Sequence, residues 1–327
     1  MSLTWGHGIW GHGIWGQGIW GHENSAIQMT GSFTLAHFSD IHLGPHPGFD
    51  RRYWNIKRGL GWLNWHRGRK GVHVSEVASR LIEDALRLRA GHLAITGDLL
   101  TLGLPAEFER ALSWLKDIGP PSLITVVPGN HDIYSGLKGD KGIARWAEYM
   151  GGDAETHAFP FVRRVGPLAL LGLNSAEETR PFSASGRLGA HQIEIASELL
   201  QTLKNEGAVR VVLIHHPPLP GLAAPRRALL DAPHFSRALA THGAELVLYG
   251  HNHRERLDWL ETAGSAIPIA GVPSSSAAKA HGNAPLARYN LFTFFKSGES
   301  VRIRRAVRGL EKPGGPVLQL SETILAP

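Results

Sequence analysis

The chain has 327 residues, 43% hydrophobic and 19% charged, which is enough apolar material for one large or two small folded units and too little charge for a disordered chain. It has no cysteine, so disulfides, thiolate metal sites and a cysteine nucleophile are excluded, and any metal must be held by nitrogen and oxygen. Against 28 Asp+Glu stand 34 Lys+Arg, and the formal net charge of +6 suits anionic partners such as phosphate esters, nucleotides or acidic lipid surfaces.

Residues 5–19 repeat a five-residue unit, Trp-Gly-His-Gly-Ile twice and Trp-Gly-Gln-Gly-Ile once, before Trp20-Gly21-His22. Glycine at alternate positions opposes a stable helix. Residues 1–32 therefore read as a disordered low-complexity extension, or as an upstream start with Met29 the true beginning. A metal-binding or adhesive tract built on His7, His12 and His22 is the alternative. No apolar run approaches the roughly 18–20 residues that span a bilayer. The first Lys or Arg is Arg51, so the N-terminus lacks the basic start of a secretory signal, and the expected location is cytoplasmic.

From Phe33 the pattern changes. "FTLAHFSDIHLG" reads as a strand running into Asp40 and His42. Ser75 is placed to cap a helix whose apolar residues Val77, Ala78, Leu81, Ile82 and Ala85 share one face. "HLAITGDLL" is a second strand with Asp98 at its end, and Pro105 opens a helix carrying Phe108, Ala111, Leu112 and Leu115. "SLITVVPGNHD" is a third strand, ending in Asn130, His131 and Asp132. "LALLGLNS", a helix over 189–203, "VRVVLIHHPP", a helix over 231–242 and "AELVLYGHNH" follow. The later apolar runs "AIPIAGV", "RYNLFTFF" and "SVRIRRAV" suggest a closing antiparallel region. Alternating strands and helices argue for α/β layers in one domain, over 33–310, with 311–327 as a C-terminal tail.

Residues 51–73 stand apart, with seven Lys or Arg, no acid, and Tyr53, Trp54, Trp62 and Trp65 interleaved. Ile56, Leu60 and Leu63 share a face if the stretch is helical, although Gly59 and Gly61 oppose that. Such a segment suits peripheral contact with an anionic membrane, at its inner face for a cytoplasmic protein, or a cap over an anionic substrate. The plain reading is a loop packed through its tryptophans, and nucleic-acid binding is a lesser alternative.

Ligands in open α/β sheets gather at the carboxyl ends of strands, so Asp40, His42, Asp98, Asn130, His131, Asp132, His215, His251 and His253 can converge although far apart in sequence. Were the first strand to continue through them, Asp40 and His42 would point the same way, as residues i and i+2 do. Imidazoles with carboxylates and an amide oxygen suit Mn, Fe, Zn or Co. Two such ions sharing a carboxylate can activate a bridging water and clamp an in-line displacement at phosphorus, with no protein nucleophile.

The ordered set "DIH", "GD", "GNHD", "HHPP" and "GHNH" resembles the signature of the calcineurin-like metallophosphoesterase superfamily, and is most similar to bacterial class III cyclic-nucleotide phosphodiesterases. The resemblance implies a four-layer α/β/β/α sandwich with two central mixed sheets and two divalent metal ions, Mn, Fe or Zn. It implies that Asp40, His42 and His253 hold the first metal, that Asp98 bridges, and that Asn130, His215 and His251 complete the second. His131 is the implied general acid, with Asp132 orienting its ring, and His216 is given a supporting or substrate role. The remaining histidines, His73 among them, gain no role from spacing. The expected substrate is a small anionic phosphodiester, a cyclic nucleotide first, with a nucleoside-diphospho-lipid as the alternative. A non-catalytic scaffold is the weaker reading, since no ligand of the set is missing.

Overall fold

The computed structural model describes residues 31–44, 51–69, 71–137, 139–153, 158–297 and 300–325. The repeats carrying His7, His12 and His22 lie outside these residues. The first half of the described chain runs β1 (Ser32–Phe38), α1 (Ile56–Asn64), α2 (Ser75–Arg87), β2 (His92–Ile95), α3 (Pro105–Ile118), β3 (Ile124–Val126), β4 (Phe161–Val165) and β5 (Leu168–Gly172). The second half runs α4 (Ala190–Asn205), β6 (Val209–Leu213), α5 (Ala232–His242), β7 (Leu246–Tyr249), β8 (Arg256–Glu261), β9 (Ala266–Gly271), β10 (Arg288–Ser297), β11 (Ser300–Leu310) and β12 (Val317–Leu325). No helix among the described residues is long and apolar enough to cross a membrane.

The strands form two mixed sheets of six, ordered β12-β11-β10-β1-β2-β3 and β4-β5-β6-β7-β9-β8. β1, β2 and β3 are parallel, as are β5, β6, β7 and β9. Strand period explains the layering. Val211 and Leu213 of β6 face the larger core, which reaches through the first sheet to α2 and α3, while Val212 packs with Leu171, Val247 and Ile269 beneath α4 and α5. Strands covered on both faces read as continuous apolar runs, as β5 and β7 do, and β6 apart from Arg210. The result is a four-layer α/β/β/α sandwich, and both parallel sets end at the same cluster of loops.

Three expectations change. Ser75 is the first helical residue of α2 rather than its cap; Val74 takes that place, and the Ser75 hydroxyl turns back to the Gly44 carbonyl. Residues 311–327, expected as a tail, contain β12, which pairs antiparallel with β11 and extends the first sheet. Gly59 and Gly61 do not prevent α1. Asn55 caps it by accepting from the Arg58 N–H at 2.9 Å, and any side chain at Gly61 would collide with the Leu102 and Tyr134 side chains.

Candidate metal centre

β1 stops at Phe38, so Asp40 and His42 are not aimed by an extended strand. They sit in left-handed backbone, at φ 54° and 45°, as do Asp98 at 56°, His251 at 66° and His253 at 52°. Left-handed backbone costs a non-glycine residue about 1–3 kcal/mol, so its repetition at five residues after three strands, β1, β2 and β7, marks a site over-determined by its surroundings. Glycine permits the loops to meet. A Cβ at Gly97 would lie 2.7 Å from Gly129 Cα and 2.8 Å from His215 Nδ1, and one at Gly250 would overlap the Ser39 hydroxyl.

Backbone donors then fix the carboxylates. The His251 N–H donates to Asp40 Oδ2 at 2.9 Å, and the His131 N–H to Asp98 Oδ1 at 2.7 Å. Three imidazoles are oriented by backbone carbonyls at Nδ1: His42 by Leu100 at 2.8 Å, His215 by Thr96 at 2.6 Å and His131 by Thr101 at 2.5 Å. A carbonyl only accepts, so Nδ1 carries the hydrogen and Nε2 is the exchangeable or ligating nitrogen.

The nine residues singled out by sequence gather around Asp98. Donor atoms of Asp40, His42 and His253 lie within 4.8 Å of one another, as do those of Asp98, His215 and His251, and those of His42, Asp98 and His131. Asp98 Oδ2 stands between the first two groups, 4.0 Å from His42 Nε2 and 3.4 Å from His215 Nε2. Asn130 Oδ1 lies 3.2 Å from His215 Nε2. Asp132 departs from expectation. Its carboxylate accepts from the N–H groups of Asp98, Leu100 and Gly129 at 2.8, 3.1 and 2.9 Å, while the His131 ring is held by Thr101. Asp132 clasps the two loops that carry Asp98 and Asn130; it does not orient the ring. His216 is enclosed, with Nδ1 2.8 Å from Ser175 Oγ and its ring 4.5 Å from His251, so it backs that imidazole and does not face substrate.

Electrostatics match a cation site. Burial would raise the Asp40 carboxyl, but the His253 imidazole 3.1 Å away outweighs it and holds it down at about 2. Burial likewise opposes ionisation of Asp98, and His215 with His131 overcomes it, holding Asp98 well below the carboxylate range. Burial disfavours a charged His215, yet Asp98 and Asp40 push it up to about 9. Buried negative charge thus draws positive charge to the centre of the cluster. His251 Nε2 is buried with no hydrogen-bond partner, and Asp40 Oδ1, although close to His253, accepts no aligned hydrogen bond. Nitrogen and oxygen donors that converge on a buried carboxylate pair, with Asp40 Oδ1 left unsatisfied, suit two divalent cations.

Sequence reasoning passed over three supports. His73 places its ring 4.6 Å from His42, with Nδ1 3.0 Å from the Ser276 hydroxyl. Ser274 donates to the Asp40 carbonyl at 2.7 Å. Tyr134 stacks on His131 at 5.3 Å. The serine triplet 274–276 directly after an apolar strand was the available signal for the first two.

A family model described as calcineurin-like phosphoesterase matches residues 33–255. A probable cyclic nucleotide phosphodiesterase of Synechococcus sp. is 30% identical over 165 residues, which cover 50% of this chain and 57% of that protein. The crystal structure of a dimetal phosphatase from Danio rerio superposes with a TM-score of 0.56 at 14% identity, covering 89% of this chain and 99% of that one, a likeness of fold.

Proposed function

The chain belongs to the calcineurin-like phosphoesterase family, and from that premise we propose that it hydrolyses a phosphodiester at two divalent cations held around Asp98. The carrying observation is that two donor groups meet at one carboxylate, whose Oδ2 lies between an imidazole of each. In this reading Asp40, His42 and His253 would hold one cation, Asn130, His215 and His251 would hold the other, and Asp98 would be shared between them. Bound there, manganese, iron or zinc supplies Lewis acidity for the phosphoryl oxygens and a water of lowered pKa. The two sheets and their helices, β12 included, form the proposed catalytic domain.

His131 moves the proton. With Nδ1–H committed to the Thr101 carbonyl, the proton it exchanges is carried at Nε2, and its delivery to the leaving oxygen completes the cleavage. Tyr134, stacked on the ring, holds its plane. Asp132 acts earlier in the chain of causes, keeping the Asp98 and Asn130 loops in register. The proposed substrate is a small anionic phosphodiester, a cyclic nucleotide first, in line with the similarity to the Synechococcus protein and the net charge of +6.

The test combines metal analysis with hydrolysis of cyclic nucleotides, an aryl phosphodiester and a nucleoside-diphospho-lipid in added manganese. Asp98→Ala is expected to lose bound metal and activity together. His131→Ala is expected to keep its metal and lose about 10²–10⁴-fold in rate. Undiminished hydrolysis in both variants would refute the mechanism, and preferential turnover of the nucleoside-diphospho-lipid would replace the cyclic nucleotide as substrate.

A further inference from the structure

α1 is built inside out. A surface helix normally turns its apolar stripe to the core. Here Ile56 is 77% exposed and Leu60 and Leu63 are also exposed, while Arg58, on the opposite side, is only 1% exposed. The Arg58 guanidinium donates to the carbonyls of Tyr53, Leu102, Gly103 and Ser135. Lys57 donates to the carbonyl and hydroxyl of Thr179 at 3.0 and 2.9 Å. The polar side is thus locked onto the protein, and the row at positions 56, 60 and 63 faces outward by construction. Trp54 folds over Gly59, and with Ile56, Leu60, Trp62 and Leu63 it lines an open apolar groove of 560 Å³.

The loop that Lys57 grips repeats the pattern. Thr179 Oγ1 donates to the Ser183 carbonyl, and between them Phe182 is 76% exposed in left-handed backbone at φ 67°. A bulky residue in that conformation is an outlier, retained at functional positions more often than elsewhere. Arg180 is exposed on the same turn, and Arg226, whose carbonyl accepts from the Ala184 N–H, is exposed beside it. Arg67 is exposed just beyond the end of α1. Of the acids nearby, Glu177 lies 3.8 Å from Arg187, and Glu178 is exposed on the same loop that Lys57 grips. Residues 51–73 hold seven basic side chains and no acid.

An outward apolar row, tryptophan at its edge and basic flanks are the features of a helix that lies in a lipid interface. We propose that α1 and the Phe182 turn form a docking face for an anionic bilayer, which holds the neighbouring centre at that surface. The centre is close: the Tyr134 hydroxyl donates to the Lys57 carbonyl at 3.2 Å, and its ring stacks on His131. Docking stands apart from the proposed chemistry, because it needs no bound cation.

The experiment is flotation of the full chain with phosphatidylcholine vesicles, with or without phosphatidylglycerol, in chelator, alongside hydrolysis of a soluble aryl phosphodiester in manganese. The full chain is expected to float with the anionic vesicles, less so at raised salt. Ile56→Glu/Leu60→Glu is expected to weaken binding about tenfold or more, by placing charge in the interface. Both side chains are already exposed, so its circular dichroism and soluble hydrolysis should stay unchanged. Phe182→Asp should weaken binding separately. A wild-type chain left unbound by anionic vesicles overturns the proposal, as does equal binding by the double variant. A dimer in the ultracentrifuge that the double variant converts to monomer also overturns it, by assigning the face to a second copy. Vesicle binding without any hydrolysis would support docking and sink the chemistry alone.

Discussion

Replacing Gly97 by alanine tests whether close approach of two loops builds the centre. Gly97 has φ 92°, where a Cβ costs about 1–2 kcal/mol. The added atom would also stand 2.5 and 2.7 Å from the N and Cα of Gly129 and 2.8 Å from His215 Nδ1. These neighbours are backbone and an oriented imidazole, so relief to an ordinary contact requires the loops to part by roughly 0.7 Å or more, at an overpacking cost of about 1–3 kcal/mol. The sum is about 2–5 kcal/mol, a fall in Tm on the order of 4–10 °C for a chain of this length. The opening separates Asp98 from Asn130, so bound metal should fall and hydrolysis drop on the order of 10²-fold, as displacements near 1 Å do. Gly207→Ala is the control: φ is also positive at 71°, but nothing lies within 4 Å of the added atom, so only the backbone cost of about 1–2 kcal/mol should appear. Thermal denaturation, metal content and initial rates decide the matter. If Gly97→Ala behaves as Gly207→Ala does in all three, the close-approach argument fails.

Asp132→Asn should cost about 2–3 kcal/mol in stability, because one amide oxygen cannot serve three backbone donors and its NH₂ would face N–H groups. The pH–rate limb set by His131 should not move; a displaced limb would restore Asp132 to the role of ring partner. Burial holds His92 and His37 down at about 3, against an ordinary value of 6.5. The unfolded chain therefore binds more protons in that window, and their contribution to stability, full above 6.5, is lost as pH falls toward 3. Urea denaturation in chelator should give His92→Gln a shallower loss of stability between pH 6 and 4 than wild type, by about 1.4 kcal/mol per pH unit. Equal slopes would mean that His92 is protonated in the fold.

The local pattern was legible wherever one side chain's character governs it. Apolar spacing identified α2, α3 and the parallel strands, and the order of polar residues at strand ends picked out the cluster. Less was visible where partners are backbone atoms. Nothing in the identity of Asp132 says that it binds three N–H groups, or in Thr101 that its carbonyl orients His131. β12, with six exposed positions and its apolar residues interrupted by Gln319 and by Ser321, Glu322 and Thr323, lacks the run that marks a covered strand and takes its conformation from β11.

The sequence by itself determined the donor chemistry: nitrogen and oxygen ligands without cysteine, placed after apolar runs that must end at one edge of a layered fold. Only the tertiary structure decided how those donors face one another, because left-handed turns, glycine contacts and carbonyl-held imidazoles arise between segments far apart in the chain. It also decided which side of α1 looks outward. Periodicity assigns Ile56, Leu60 and Leu63 to one face, but burial of that face or its opposite depends on whether carbonyls elsewhere capture Arg58.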